Sequence, residues 1–345
     1  MKKMFFLLGA FLSLFTLLGC GGSKQKLYIY NWSDYIKKEL VSNFEKENNC
    51  KIVMDFFDSN ESMYAKLKAG ATGYDIIFPS GYMVQIMARD GMIQRIDHSK
   101  IPNIVNIDEK YLPYTLDAEM KFSVPYMISN SGIGYLESKV DDSFVPSWSV
   151  FGNPKYAGRM TMLNDMRESI GAALKYLGYS MNSTKVSELE QAGDLLISWK
   201  KNLAKFEADQ YKNGLISGEF IVSHGYSGDI FQVMEENEDI TYVIPQEGTT
   251  IACDNMVILK GSKNVDLAYA FINYILDPEV AAENIEYIYY LAPNKAAYDL
   301  VSEEVRNEPA IFMSNEMLTK SEVILDLGEN NILYTRTWDK VKTAK

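Results

Sequence analysis

Only three cysteines and two histidines are spread over the 345 residues. Three cysteines are too few for a disulfide framework, and Cys50 and Cys253 are expected to be separate thiols. Neither His98 nor His224 has a second His or Cys at metal-ligand spacing, and no G-x-S-x-G run marks a nucleophile. His98, in RIDHSK, is expected at the surface, and His224 is expected to pack beside a loop. Metal and cofactor chemistry thus have no sequence support, and no nucleophile, base and oxyanion set can be assembled, which argues against an enzyme. There is no internal repeat, no low-complexity tract and no Pro/Gly linker, so two lobes strung end to end are excluded. The longest apolar run, Met4–Leu18, falls short of the ~20 residues of a membrane-spanning helix.

That run has the form of an export signal instead. MKKMFFLLGAFLSLFTLLGC places two lysines before it and small residues after it, and Leu17-Leu18-Gly19-Cys20 looks like the lipobox of bacterial lipoproteins. The reading is a signal peptide over 1–19, lipidation at Cys20 and a linker over 20–25, with a body outside the cytoplasm held to the membrane by lipid only. The mature chain of 326 residues is enough for two domains at roughly 100–200 residues each. Its 32 basic and 46 acidic residues give a formal charge of −14. That balance disfavours nucleic acid and anionic membrane surfaces and favours small cations, although solubility alone would also account for it.

The first third alternates. Lys26–Tyr30, Lys51–Phe57 and Tyr74–Phe78 read as strands, and Ile36–Asn48, Glu61–Ala69 and Tyr82–Arg89 as helices. The pattern resumes with a helix over Val186–Lys205, a strand near Phe220–Ser223, a short helix after Ser227 and a strand near Ile240–Ile244. A strand over Asn255–Leu259 and helices over Val265–Ile275 and Pro278–Ile288 follow. Such alternation specifies an α/β fold with mixed, mostly parallel sheets flanked by helices. Ligands of α/β sheets sit off the carboxyl ends of the strands, which singles out four loops: YNWSDY (30–35), PSGYM (79–83), LNDMRES (163–169) and HGYSGD (224–229). All carry carboxylates, tyrosines or hydroxyls. Asp165-x-x-Glu168 before an apolar run is equally a helix-capping pattern, so Asn164 or Asp165 is expected to cap while Glu168 faces a ligand. Tyr82 and Tyr226, two of 23 tyrosines, are individually unremarkable.

Together with SNESMYAKLKAGATGYDIIFPSGYMV (59–84), DGMIQRIDHSKIPN (90–103), SVPYMISNSGIGY (123–135), PQEGTTIACDN (245–255) and LAPNKAA (291–297), the run YNWSDYI closely resembles the PotD-like spermidine/putrescine-binding proteins of bacterial ABC importers. The resemblance implies a two-lobed periplasmic-binding-protein (Venus-flytrap) fold whose chain crosses between lobes near 129–133, 250–254 and 298. Lobe 1 would comprise 26–129 and 253–298, and lobe 2 would comprise 130–252 and 299–345. A monomer is expected to capture a polyamine in the interlobe cleft and deliver it to permease subunits.

Carried over position by position, the resemblance implies a pocket of Trp32, Asp34 and Tyr35 from the first loop and Ser80 and Tyr82 from the second. Asp165, Glu168 and Tyr226 come from the second lobe, and Asp254 and Tyr290 complete the site. Asp254 is expected to hold an internal ammonium and Asp165 with Glu168 a terminal one, with Trp32, Tyr35, Tyr226 and Tyr290 boxing the methylenes. Three positions depart from the family pattern: Tyr226 and Ala252 where Trp is common, and Ile324 where Gln is usual. Ala252 either widens the cleft or is compensated by a ring such as Tyr289. The preferred amine is therefore left open. So are two other functions: binding another solute, such as thiamine, iron or sulfate, of which the acids disfavour sulfate most, and a sensor or adhesin lipoprotein that keeps the fold.

Overall fold

The computed structural model of the chain describes residues 24–344; the export signal and Cys20 lie outside them. Three βα units open the fold: β1 (Gln25–Asn31), α1 (Lys38–Glu47), β2 (Cys50–Phe56), α2 (Asn60–Lys68), β3 (Ile76–Ile77) and α3 (Gly81–Arg89). A long strand β4 (Val124–Leu136) leads to β5 (Met160–Leu163), α4 (Met166–Tyr176), α5 (Val186–Lys200), β6 (Leu203–Glu207), α6 (Tyr211–Ser217), β7 (Val222–Tyr226), α7 (Ser227–Met234) and β8 (Ile240–Val243). The chain then runs through β9 (Thr250–Ile258), α8 (Val265–Ile275), α9 (Pro278–Ile288), α10 (Glu303–Arg306), α11 (Asn315–Lys320), β10 (Glu322–Val323) and α12 (Asn331–Thr343).

The strands lie in the order β2-β1-β3-β9-β4-β7-β5-β6, with β10 beside β9 and β8 beside β4. β4 is the joint. Its residues Val124–Asn130 pair antiparallel with β9, whereas Ser131–Leu136 pair with β7 and β8. The strand is buried at nearly every position, as expected of one sandwiched between two layered bodies. β9 likewise runs from β10 at Thr250–Ile251 to β3 at Val257–Ile258. One core gathers Leu27, Ile29, Phe44, Phe271 and Ile272, and another Trp148, Phe151, Leu174, Leu196 and Trp199. Burying each such side chain contributes about 1.5–3 kcal/mol.

The helix read over Val186–Lys205 is shorter in the structure. α5 stops at Lys200, and Leu203–Glu207 instead forms β6, parallel to β5. Phe206 packs edge-on against Trp338 of α12, so a partner distant in sequence overrides the local helical pattern. β9 also begins five residues before the strand expected from Asn255, because Thr250 and Ile251 find partners in β10 and β4.

Candidate functional site

The four loops singled out from sequence lie at the ends of strands β1, β3, β5 and β7 and meet beside the paired strands β4 and β9. After β1 the chain turns through Asp34, whose φ of +50° is a left-handed conformation that Asp tolerates better than most residues. Trp32 is fixed by its indole N–H, which donates to the Phe78 carbonyl (2.8 Å), and its ring packs on Phe57 with centroids 4.3 Å apart. Tyr35 is buried, with its ring edge-on to Tyr126 and Tyr290 at 5.4 and 5.6 Å. Asp34 projects into solvent at the turn.

Asp254, on β9, sits at the centre of the first wall and is buried. Tyr35 Oη donates to its Oδ2 (2.8 Å) and Ser80 Oγ to its Oδ1 (2.6 Å). Ser80 stands at the N-cap of α3 but makes no side-chain cap, because its hydroxyl is committed to Asp254; Asn60 Nδ2 in turn donates to that hydroxyl (3.0 Å). Burial raises the Asp254 pKa to about 6, against the pull of the Ser80 and Tyr35 hydrogen bonds. Each oxygen retains acceptor capacity. Tyr82 donates to Glu61 Oε1 (2.9 Å) and is near enough to Asp165 for that charge, after burial and Glu61, to raise its pKa.

The opposing wall starts at α4. Asp165 caps the helix, its Oδ1 accepting from the Arg167 and Glu168 amides (2.8 and 3.0 Å). Its other oxygen makes no such bond, so capping does not use up the carboxylate. Glu168 is buried, and its Oε2 accepts from Ser131 Oγ (2.7 Å) on β4 and from the Thr250 hydroxyl on β9. Glu168 thus touches both strands that join the lobes. Burial raises the pKa values of both acids, and the charge of Asp165 adds to the rise at Glu168. Tyr226, at the N-cap of α7, feels the charges of Asp165 and Glu168. Gly228 brings this wall against Tyr290: a Cβ there would lie 2.7 Å from the Tyr290 ring and collide with the Ile288 carbonyl.

Sequence reasoning missed Asp229. It lies in the first turn of α7, accepts from Tyr211 Oη (2.6 Å) and, like its neighbours, has a pKa raised by burial. The signal was present in HGYSGD as an acid at a helix start, the pattern that drew attention to Glu168. Ser131 and Thr250 were missed because hydroxyls inside strands carry no motif. Tyr289 does not fill the space beside Ala252. It ends α9 in a left-handed turn (φ +55°), its hydroxyl donates to Glu235 and its ring packs toward Phe231. Ala252 pairs with Ser129 and is partly exposed.

His224 is fully buried in β7 against Trp148, its Nε2 3.2 Å from Ser131 Oγ, and burial lowers its pKa to about 3. His98 is exposed. Cys50 and Cys253 are buried free thiols. Among the described residues no cluster of His, Cys, Asp and Glu is placed to hold a metal, and no helix is long and apolar enough to cross a membrane.

Two lobes joined by shared strands, with acids and aromatic rings facing one another across the junction, define a solute-binding protein. The chain matches the bacterial extracellular solute-binding protein family over residues 39–313, and it belongs to that family, whose role is binding rather than catalysis. It is 36% identical to the putrescine-binding periplasmic protein PotF of Escherichia coli, over 95% of this chain and 94% of PotF. It is 35% identical to a putrescine/cadaverine-binding protein of Pseudomonas aeruginosa, over 92% of this chain and 94% of that protein. Among solved structures, the spermidine/putrescine substrate-binding protein PotD of Streptococcus pneumoniae superimposes with a TM-score of 0.84 at 37% identity, covering 93% of this chain and 99% of PotD. The TpPotD lipoprotein of Treponema pallidum does so with a TM-score of 0.83 at 36% identity, covering 92% and 99%.

Proposed function

We propose that the protein captures a linear polyamine in its interlobe cleft and delivers it to an ABC permease. The observation that carries this reading is Asp254: a buried carboxylate at the junction of the lobes, oriented by Tyr35 and Ser80 and walled by aromatic rings. A polyamine is an apolar chain punctuated by ammonium groups, and this is the surface such a chain needs. A charge-assisted hydrogen bond contributes about 1.5–3 kcal/mol and a cation over a desolvated ring about 2 kcal/mol, together enough to offset ammonium desolvation.

In this reading Asp254 holds one ammonium and Asp165 with Glu168 another, while Trp32, Tyr35, Tyr226 and Tyr290 enclose the methylenes. Ser80 orients Asp254, and Tyr82, Asp34 and Asp229 line the remainder. The lobes comprise 26–129 with 253–298 and 130–252 with 299–345, a division supported by the change of partners along β4 at Asn130–Ser131. Cys20 carries the lipid anchor of an extracytoplasmic monomer; the lipoprotein nature of the T. pallidum relative supports that assignment. Ligand binding raises the unfolding free energy by RT ln(1 + [L]/Kd). A thermal-shift panel of putrescine, cadaverine, spermidine, spermine and thiamine therefore tests the reading. Stabilisation by linear amines and not by thiamine supports it, and the absence of a shift with every linear amine refutes it.

A further inference from the structure

Ser131 stands where β4 exchanges β9 for β7: it pairs with Tyr226 of β7, one step after Asn130 pairs with Ile251 of β9. It is buried, and its hydroxyl meets four side chains, Glu168 Oε2 at 2.7 Å, Thr250 Oγ1 at 2.9 Å, Thr249 Oγ1 at 3.2 Å and His224 Nε2 at 3.2 Å. Each hydroxyl has one proton to give, which fixes the direction of these bonds. The Thr249 hydroxyl donates to the Ser131 carbonyl, which can only accept. With Glu168 ionised, as an ammonium partner requires, the Thr250 and Ser131 hydroxyls must both donate to its Oε2. Ser131 then has no proton left for His224, so that contact is a bond only if His224 donates from Nε2. Burial keeps this imidazole neutral, with one proton to place, and its Nδ1 is buried without a partner among the described residues. A proton on Nδ1 would be an orphaned donor, which favours the Nε2–H form.

We propose that Ser131 is a positioning residue for the bound amine: backed by the His224 N–H, its hydroxyl joins that of Thr250 in filling Glu168 Oε2 and leaves Oε1 for an ammonium in the cleft. This rests on the polyamine reading and deepens it. The bonds run from His224 to Ser131 to Glu168 without a break, and every proton along them points toward the carboxylate. Two donated bonds favour the charged form of an acid that burial would otherwise neutralise. The His224 N–H occupies one lone pair of the Ser131 oxygen, and a hydroxyl that accepts a bond donates a stronger one. Thr250 lies on the same strand as Asp254, so β9 carries one ammonium partner and holds the other, which sets their separation.

A double-mutant cycle read by calorimetric titration of the full chain with putrescine tests this, using Ser131→Ala, Glu168→Ala and the pair. If Ser131 acts through Glu168, Ser131→Ala lowers affinity roughly tenfold in the wild-type background and adds no loss once Glu168 is gone. His224→Phe keeps a buried ring beside Trp148 but no donor, and His224→Gln restores an N–H at similar reach; the first should weaken binding and the second should not. His224→Phe takes the place of Ser131→Ala in the cycle if thermal unfolding shows the latter to be misfolded. Unchanged affinity in Ser131→Ala, equal losses in both backgrounds, or a Glu168→Ala variant that binds as the wild type does overturns the role of Ser131 while leaving polyamine binding at Asp254 intact. Equal losses in His224→Phe and His224→Gln overturn the part given to the histidine. A wild type that binds neither putrescine nor any other linear amine overturns the polyamine reading itself, and Ser131 with it.

Discussion

Tyr35 and Asp254 lie 219 residues apart in sequence, and the Tyr35 hydroxyl donates to the Asp254 carboxylate at 2.8 Å inside the protein. This bond ties the loop after the first strand to the strand that returns from the second lobe. Tyr35→Phe removes the donor and leaves the carboxylate less well held. We expect affinity for a diamine to fall roughly tenfold, in line with about 1–3 kcal/mol for an unsatisfied buried group. Calorimetry reads this directly, and unchanged affinity would mean that the bond does not serve the ligand.

Protonation offers a second test. The raised pKa of Asp254, about 6 against an ordinary value near 3.9, means that the native unliganded protein holds a proton there that the unfolded chain releases. From this group, stability therefore falls as pH rises from about 4 to about 6, by on the order of 3 kcal/mol in total, and levels off above. An ammonium ligand favours the ionised carboxylate, so affinity should rise with pH through the same window. Thermal melts from pH 4 to 8, with and without putrescine, check both signs; affinity that falls as pH rises contradicts the assignment.

Asp165 carries two roles that substitution can separate. Asp165→Asn keeps an oxygen able to accept from the amides of Arg167 and Glu168, whereas Asp165→Ala removes the cap and costs about 1 kcal/mol. Both lose the charge. We expect both variants to bind diamines more weakly, but only Asp165→Ala to melt clearly lower, in paired calorimetry and thermal unfolding.

Gly228 lets the first turn of α7 pack closely against Tyr290. An alanine Cβ would meet the Ile288 carbonyl and the Tyr290 ring, and a backbone oxygen cannot step aside as a flexible side chain can. Overpacking of this kind costs about 1–3 kcal/mol. On the proposed division α7 and Tyr290 belong to different lobes, so the cost falls on their approach, and Gly228→Ala should weaken ligand binding more than it lowers the melting temperature of the unliganded protein. Equal losses in both measurements would place the clash within a lobe instead.

The alternating first third was legible because each strand and helix there is short, periodic and bounded by turn residues; β1 and α1 through α3 fall close to the expected spans. β6 was not legible, since Leu203–Glu207 extends a helical pattern and becomes a strand only through β5. Nor was β4 as a whole, whose thirteen residues pair first with β9 and then with β7 and β8, a change of partners that leaves no periodic mark. In the site, acids and rings in loops stood out, whereas Ser131 and Thr250, which hold Glu168 between the joining strands, did not. Asp165 shows the ambiguity best: its spacing fits a cap and a ligand equally, and in the structure one oxygen caps while the other makes no cap bond.

The central claim, that a buried carboxylate at the junction of the lobes grips an ammonium group, is tested most directly by calorimetric titration of Asp254→Asn beside wild type with putrescine. Asparagine keeps the shape and an acceptor oxygen but not the charge. The account predicts one binding site in the wild type and an affinity loss of about a hundredfold in a variant that remains folded, the scale of a lost charge-assisted bond. Equal affinity in the two proteins would contradict it.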